Sequence, residues 1–389
     1  MELVTISPSI QYIGVDDKTI DLFESQYIVP HGISYNSYVI LDEKIAVMDT
    51  VDARATGLWL KNLADVLGDR KPDYLVVSHM EPDHASNIQT LAEKYPDMKI
   101  VASAKALSMI PQFFTFDISD RSIVAKEGET LSLGQHTLQF FMAPMVHWPE
   151  VMVSYEQHEK VLFSADGFGK FGALDAEEDW DCEARRYYFN IVGKYGMQVQ
   201  ALLKKAATLD IQTICPLHGP ILKENLGHYI GKYDVWSSYQ PEDEGVFIAY
   251  ASIHGHTAQA AKKLAHILEE KGAKKVVLAD LCRSDLAECV EDAFRYSHLV
   301  LASASYDAGL FPPMEAFLHK LRAKAYQNRV VALVENGSWA PSAGKCMKAI
   351  LEPMKNLRMV EPLVSIRSSL KPETEAQLET LADNLLAAK

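Results

Sequence analysis

Two hydrophobic patterns divide the chain into an N-terminal and a C-terminal part. Over about the first 240 residues, short segments such as residues 35–41 and 44–48 alternate apolar and polar positions, which is typical of half-buried β-strands. A few helical stretches lie between them, so we expect sheets with helices packed outside. Farther along, apolar runs alternate regularly with segments of helical periodicity, which predicts βα units and a parallel, doubly wound sheet.

A polar stretch separates these two parts. Residues 237–245 read Ser-Ser-Tyr-Gln-Pro-Glu-Asp-Glu-Gly, a combination of proline, glycine and acidic residues that is typical of a domain boundary. We therefore predict one domain over residues 1–244 and a second over residues 245–389. The strands predicted in the second domain, each followed by a helix, are residues 246–251, 276–279, 299–302, 330–334 and 359–366.

The composition excludes several classes of protein. The 389 residues are 48% hydrophobic and 23% charged, as in ordinary globular proteins, which argues against a disordered or collagen-like chain. The formal net charge of -14 would repel phosphate backbones, so we expect no nucleic-acid partner. No long apolar run occurs, and residues 1–5 lack the basic start of a signal peptide, so we expect a cytoplasmic protein without a membrane partner. The five cysteines include no C-x-x-C pair, which suggests neither a disulfide framework nor a thiolate zinc site.

The most informative segment directly follows an apolar run of buried-strand type at residues 74–78. Alternating positions of an extended loop project the same way, so its first three ligand-type side chains are predicted to converge on a metal pair, with Pro82 restricting the path between them. A polar loop rich in turn formers is the alternative. The four potential metal ligands of this segment are His79, Glu81, Asp83 and His84.

Three later positions supply what a two-metal site still lacks. His147, Asp166 and His218 each come at the end of an apolar run, and a carboxylate at Asp166 can bridge two cations. Gly219 would permit a close approach of the backbone beside His218. Taken alone, either histidine is as well explained as a buried core residue. Together with the first segment, all three are predicted to be metal ligands.

Three loops of the second domain form a candidate ligand site. The first, residues 252–257, joins a strand to a helix and offers hydroxyls, a glycine and a helix N-terminus to a phosphate. It lacks the G-x-x-x-x-G-K-[ST] pattern of ATP and GTP sites, and an ordinary βα turn is the alternative. The other two loops, residues 303–313 and 335–344, leave strand ends on the same predicted side, where open α/β sheets bind ligands. The candidate cofactor-binding residues are Ser252, His254, Gly255, His256, Thr257, Ser303, Ser305, Tyr306, Asp307, Ala308, Gly309, Gly337, Ser338 and Trp339.

The order and spacing of the seven metal-ligand candidates resemble the metallo-β-lactamase fold superfamily. Hydrolases of that superfamily usually carry a second histidine where Glu81 stands. The hard carboxylate oxygen moves the expected ligation from zinc toward the mixed His/carboxylate sets of redox-active iron. The three loops of the second domain resemble those with which flavodoxin holds FMN, and Tyr306 and Trp339 are the candidates to pack against the flavin. Here Ile253, His254 and His256 replace the more usual small polar residues.

Both resemblances together are those of the flavodiiron proteins, and they span essentially the whole chain. They imply an α/β chain in which an N-terminal metallo-β-lactamase-like αββα sandwich precedes a flavodoxin-like, doubly wound parallel sheet of five strands. They also imply an oxidoreductase with FMN and two non-haem iron ions, which reduces dioxygen to water, nitric oxide to nitrous oxide, or both. Reduced FMN and a diferrous pair hold two electrons each, which matches the four that dioxygen needs.

The resemblance also implies roles and partners. His79, Glu81 and His147 would hold one iron, Asp166 would bridge, and the ligands of the other iron would be Asp83, His84 and His218. No room remains after the last predicted helix for a rubredoxin or flavin-reductase module, so an external electron donor is expected, rubredoxin by resemblance. Related proteins are head-to-tail dimers or dimers of dimers, with the FMN of one subunit near the diiron site of the other.

Alternative functions remain at this point. Within the family, the chain could be primarily a nitric oxide reductase, and no residue decides between the two gases. Outside it, a zinc-dependent thioesterase or lactonase with an accessory flavodoxin-like domain is opposed by Glu81 and the flavin loops. A pure electron carrier with a vestigial metal site would need a broken ligand set, yet all seven positions are filled.

Overall fold

The computed structural model describes residues 5–388, which form two compact units. The first comprises the described residues up to Tyr188 together with Met197–Asp234, and the second comprises Phe189–Gly196 and the described residues from Val235 onward. The polar stretch predicted as a boundary is held within the second unit, because the Glu242 N–H donates to the Arg295 carbonyl at 2.9 Å.

Residues 5–242 form fifteen short strands and seven α-helices. Its strands, β1–β15 in chain order, are Ile10–Tyr12, Val15–Asp17, Leu22–Phe23, Tyr27–Ile28, Ile33–Tyr35, Tyr38–Ile40, Ala46–Met48, Tyr74–Val77, Lys99–Ser103, Ser122–Ala125, Thr130–Ser132, Thr137–Met142, Met152–Glu156, Val161–Phe163 and Thr213–Cys215. Its helices, α1–α7, are Thr56–Leu67, Pro82–Ala85, Ile88–Lys94, Ala104–Phe113, Trp180–Tyr187, Gly196–Ala206 and Leu226–Ser237.

Two sheets face each other in the first unit. One has the strand order β1-β6-β7-β8-β9-β10 and the other β11-β12-β13-β14-β15. Apolar side chains of both sheets share one buried cluster, in which the rings of Tyr38 and Phe163 lie 5.4 Å apart. Helix α1 buries Trp59, Leu63 and Leu67 along one face, as an amphipathic helix packed on a sheet does. The predicted αββα sandwich is confirmed.

The second unit is a parallel sheet with helices. Its strands, β16–β21, are Asp243–Ala251, Val276–Asp280, Tyr296–Tyr306, Gly309–Leu310, Arg329–Asn336 and Leu357–Ile366. Its helices, α8–α12, are His256–Glu270, Leu286–Arg295, Pro312–Ala323, Ala343–Leu351 and Pro372–Ala387.

The order of the parallel strands, β17-β16-β18-β20-β21, confirms the predicted doubly wound sheet of five strands. The short strand β19, which the hydrophobic pattern did not predict, runs antiparallel to β18. It forms because Asp307 and Ala308 adopt left-handed conformations, with φ of 47° and 58°, that turn the chain back as a tight hairpin. Within residues 5–388, no helix is long and apolar enough to cross a membrane.

A buried ion pair joins the β11–β12 turn to the end of β13 in the second sheet. His136 lies between β11 and β12, and its Nδ1 atom is 3.0 Å from Oε1 of Glu156 at the end of β13. This carboxylate raises the pKa of His136 above its ordinary value of 6.5. Burial raises the pKa of Glu156, but His136 and two backbone N–H groups outweigh burial and lower it below 4.5. The charged forms of both side chains are therefore favoured in the fold.

We predict that His136→Gln removes a pH-dependent part of the stability. The contribution of His136 is fully present below pH 6.5 and is lost as the pH rises through its raised pKa in the folded protein. The contribution of Glu156 is present above pH 4.5 and is lost as the pH falls through its lowered pKa. The free energy of unfolding in urea should therefore differ most between wild type and variant from pH 4.5 to 6.5, by about 1–3 kcal/mol.

The matched control is His266→Gln, because His266 is exposed on helix α8 and pairs with the exposed Glu270. A difference between wild type and His136→Gln that is unchanged from pH 6.5 into the alkaline range would contradict the prediction.

Candidate metal centre and flavin site

Strand register brings the candidate metal ligands to one edge of the sandwich. In the second sheet Phe163 pairs with Cys215 across two parallel strands, so Asp166 and His218, each three residues farther on, leave the sheet side by side. The Met152 N–H donates to the Ser78 carbonyl at 3.1 Å and joins this edge to the loop after β8. The loops after β8, β12, β14 and β15 therefore meet at one place.

The segment after β8 differs from the predicted extended loop. Pro82 starts the short helix α2, because its fixed φ suits the first helical position. Asp83 and His84 lie on this helical turn, whereas His79 and Glu81 precede it. Because of this turn, His79 and Glu81 face one group of donor atoms and Asp83 and His84 face a second, neighbouring group.

The first group of donor atoms consists of His79, Glu81, His147 and Asp166. The Glu81 Oε2 atom lies 3.2 Å from His79 Nε2 and 3.0 Å from His147 Nε2. The Asp166 Oδ2 atom lies 3.3 Å and 3.5 Å from the same two nitrogens. Two imidazoles and two carboxylates thus surround one position, and all but the partly exposed Glu81 are buried.

The second group consists of Asp83, His84 and His218, all buried. The Asp83 Oδ2 atom lies 3.3 Å from His84 Nε2 and 3.1 Å from His218 Nε2. The other oxygen of Asp166, Oδ1, faces this group at 3.3 Å from His84 and 3.8 Å from His218. The structure therefore brings all seven predicted ligand residues together, with Asp166 between the two groups and His84 turned into the site.

The donor atoms fit metal ions. Both oxygens of Asp83, both oxygens of Asp166 and Nε2 of His147 are buried and have no hydrogen-bond partner among the described residues. Buried carboxylate oxygens without a partner cost several kcal/mol unless a cation compensates them. Two cations, one in each group, would engage all of these atoms.

The electrostatics of the site also favour positive charge. Burial lowers the pKa of His147, but the carboxylates of Asp166 and Glu81 outweigh burial and raise it to about 9. Burial raises the pKa of Asp166, but His79, His147 and His84 hold it well below its ordinary value. The carboxylates stay ionised and attract either protons on the imidazoles or metal ions between them.

Outer hydrogen bonds determine which nitrogen of two histidines faces the site. His79 Nδ1 lies 2.8 Å from Oε1 of the buried Glu150, and His218 Nδ1 lies 2.7 Å from the Ser34 carbonyl. Both partners only accept hydrogen bonds, so both Nδ1 atoms carry a proton, and in the neutral rings both Nε2 atoms present a lone pair to the site. Gly219, with φ of +81°, lets its N–H donate to Ser34 Oγ at 2.7 Å.

Sequence reasoning missed Glu150 and Ser34. Glu150 also accepts the Met80 N–H at 2.8 Å, so one carboxylate holds both the ring and the backbone of the first ligand segment. In the sequence, Glu150 is one of many acidic residues and Ser34 one of many serines. Only its position three residues after His147 set Glu150 apart.

The three flavin loops lie at the carboxyl ends of adjacent central strands. Ala251 pairs with Ser303 and Ser303 with Glu335, so the loops after β16, β18 and β20 are neighbours at one edge of the sheet. Gly255, with φ of +88°, precedes helix α8, and its N–H donates to Ser252 Oγ at 3.1 Å. The turn and the helix start direct backbone N–H groups at the edge, as a phosphate requires.

The side chains of the candidate flavin residues divide into exposed and internal ones. Trp339 is 87% exposed and Tyr306 is 45% exposed, so both rings are available to a planar ligand. Ser303 and Thr257 are buried. Ser305 Oγ accepts the Ser342 and Ala343 N–H groups at 2.8 Å and 3.1 Å, so this hydroxyl braces the third loop. The remaining predicted residues lie on the same three loops.

Comparisons with known proteins identify chains that resemble this one in sequence and in fold. A family model described as ODP family beta lactamase matches residues 33–219. The chain is 28% identical to a nitric oxide reductase of Moorella thermoacetica, over 92% of each chain. It spans about half the length of a diflavin flavoprotein of Synechocystis, to which it is 31% identical over 76% of this chain and 51% of that protein.

Two solved structures resemble the whole chain. Rubredoxin oxygen:oxidoreductase of Desulfovibrio gigas is 28% identical and superposes with a TM-score of 0.91, covering 99% of this chain and 98% of the other. A flavo di-iron protein variant of Thermotoga maritima, 24% identical, superposes with a TM-score of 0.90 over the same shares. The second similarity supports the fold alone.

We predict that Glu150→Gln weakens metal binding. The variant keeps the shape of the side chain but loses the charge that holds the His79 Nδ1 proton, and loss of such an outer partner typically lowers metal affinity by about 10–100-fold. Competition with a chelator, followed by metal analysis of the protein, measures the change. Glu93→Gln, on an exposed helical position, is the matched control. Equal metal retention by both variants would count against a role for Glu150.

Proposed function

We propose that this chain is a flavodiiron protein, an oxidoreductase that reduces dioxygen to water or nitric oxide to nitrous oxide. Electrons would pass from an external carrier through FMN to a diiron centre. The observation that carries the proposal is the buried Asp166 carboxylate, whose two oxygens face two separate groups of donor atoms. Relatives named as an oxygen oxidoreductase and as a nitric oxide reductase support both substrates.

We assign the metal ligands by their groups. His79, Glu81 and His147 would hold one iron, Asp166 would serve both, and the second iron would be held by Asp83, His84 and His218. The equal share of nitrogen and oxygen donors suits iron. The four carboxylates of the site, counting Glu150, would balance the four positive charges of two divalent ions, and burial keeps bulk water from all donor residues but the partly exposed Glu81.

The loops after β16, β18 and β20 would hold FMN. The start of helix α8 would bind its phosphate through backbone N–H groups, and Trp339 and Tyr306 would pack against the ring system. When bound, FMN and two irons would together supply the four electrons that convert dioxygen and four protons into two waters. Reduction of two nitric oxide molecules to nitrous oxide and one water needs two electrons and two protons.

The partners and the setting are proposals of the same kind. A rubredoxin-type carrier is supported by the name of the Desulfovibrio gigas relative. A homodimer follows from the family and would be tested by sedimentation of the full chain. A reducing, cytoplasmic setting is supported by the five cysteines, none of which forms a disulfide bond within residues 5–388.

The deciding experiment measures consumption of each gas by iron-reconstituted protein. Reduced rubredoxin would supply electrons, and iron, zinc and flavin would be assayed on the same sample. Water or nitrous oxide formation at a catalytic rate would establish the function, and the faster gas would identify the preferred substrate. Protein that holds iron and FMN but reduces neither gas would refute it.

We predict that Asp166→Ala abolishes gas reduction but leaves FMN bound. Removal of the shared carboxylate takes one donor from each group, so turnover should fall by about a hundredfold or more. Flavin absorbance after gel filtration should be unchanged, because Asp166 lies in the first unit and the flavin loops lie in the second. Asp65→Ala, at an exposed position of helix α1, is the control. Loss of FMN in Asp166→Ala would contradict the assignment of the two cofactors to separate units.

We predict that Trp339→Ala weakens FMN binding without changing metal content. Loss of an exposed ring that stacks on the flavin should raise the dissociation constant of FMN about tenfold. Fluorescence titration of flavin-free protein measures it. Phe113→Ala removes an exposed ring from the first unit and should have no effect. An unchanged dissociation constant would place the flavin ring elsewhere.

A further inference from the structure

An apolar cavity of about 30 Å³ lies in the first unit, between helix α6 and the second sheet. The sheet contributes Phe141, Val153 and Leu162 from three adjacent strands, and the helix contributes Val199 and Leu203. About 10–15 Å³ measured in this way already holds one water-sized molecule, so the space is large enough for a diatomic gas.

The few polar groups around the cavity are engaged elsewhere. Ser164 Oγ donates to the Gly167 carbonyl at 2.6 Å, and the Tyr233 hydroxyl accepts the Phe168 N–H at 2.6 Å. Lys205 Nζ donates to a carboxylate and a carbonyl at 2.9 Å each. A buried water needs two to four polar partners, and a cavity lined by apolar side chains stays dry and takes up nonpolar guests such as xenon.

The cavity adjoins the candidate metal centre through two ligand loops. Val146, which immediately precedes His147, and Gly167, which immediately follows Asp166, both line it. Two residues that line the cavity are thus chain neighbours of metal-ligand candidates, one of His147 and the other of Asp166. Two loops that carry metal-ligand candidates therefore form part of the cavity wall.

Helix α6 places the cavity near the protein surface. Val199, Leu202, Leu203 and Ala206 recur at intervals of three and four residues and form one apolar face of the helix over the cavity. Leu202, Leu203 and Ala206 are only half-buried. Side chains that are themselves partly exposed therefore separate the cavity from solvent on this side. A charged solute that entered the cavity would lose hydration without gaining a partner.

We propose that this cavity binds the gaseous substrate beside the metal centre and raises its local concentration there. The inference rests on the proposed reduction of dioxygen or nitric oxide, because both are small molecules that partition from water into apolar surroundings. Binding here is reversible and involves no chemical step.

The first test is xenon binding to crystals of the full chain under pressure. One xenon site is expected in the cavity, whether or not metal is loaded, since no metal ligand contacts the guest. An empty cavity in wild-type crystals under pressure would overturn the proposal.

The second test fills the cavity. Val199→Phe should abolish xenon binding and raise the KM for the gas about fivefold, while kcat at saturating gas, iron content and FMN content stay at wild-type values. Ala201→Phe, on the exposed face of the same helix, should change none of these quantities. Should Val199→Phe fail to fold, Val199→Ala enlarges the space and should increase the xenon signal.

The outcomes separate this inference from the proposed function. Val199→Phe with an intact fold, no xenon site and an unchanged KM would overturn the substrate role of the cavity while leaving gas reduction in place. Wild-type protein that takes up xenon but reduces neither gas would overturn the proposed function, and with it the identity of the natural guest. A raised KM in Val199→Phe together with an unaltered Ala201→Phe supports the proposal.

Discussion

The placement of one buried carboxylate, that of Asp166, is the constraint on which the rest of the first unit depends. Its two oxygens face different groups of donor atoms, and neither oxygen has a hydrogen-bond partner among residues 5–388. Such a group is costly to bury unless positive charge compensates it, either as protons on the neighbouring imidazoles or as metal ions. Ala165, immediately before it, is held at a φ of 50°, an unfavourable conformation that persists where surrounding structure enforces it.

The surrounding structure enforces this geometry through hydrogen bonds to the parts of the ligands that face away from the site. Glu150 holds His79 and the backbone of Met80, and the Ser34 carbonyl holds His218. These bonds remove rotational freedom before any metal arrives, which lowers the entropic cost of binding. The two acceptors also differ in charge. In the first group His79 is hydrogen-bonded to the Glu150 carboxylate, whereas in the second group His218 is hydrogen-bonded to the neutral Ser34 carbonyl. The two metal positions are therefore electrostatically unequal even though their inner donors are alike.

In the second unit, the corresponding constraint is that FMN, a large planar anion, would have to be held at the edge of a sheet. Parallel register brings three loops to one edge, and internal hydrogen bonds such as those of Ser305 stiffen them. The two most exposed aromatic rings of these loops, Trp339 and Tyr306, are left with large uncovered surfaces. Exposed rings of this size are unfavourable in water, and a bound flavin would cover them.

The sequence by itself determined the class of both folds and the chemistry of the site. Alternation of apolar positions predicted sheets with helices packed outside, and the resemblance of the ligand segments to a known superfamily implied the sandwich. The βα periodicity predicted the five parallel strands, and the ligand types at residues 79–84 predicted a metal pair, because these signals are local. Only the tertiary structure decided that Pro82 starts a helical turn, that Asp307 and Ala308 form a hairpin, and that the first compact unit ends inside helix α7. It alone identified Glu150, 71 residues from His79 along the chain, and the cavity beside the ligand loops. Hydrogen bonds and packing between distant segments depend on strand register and loop conformation, which local residue patterns do not encode.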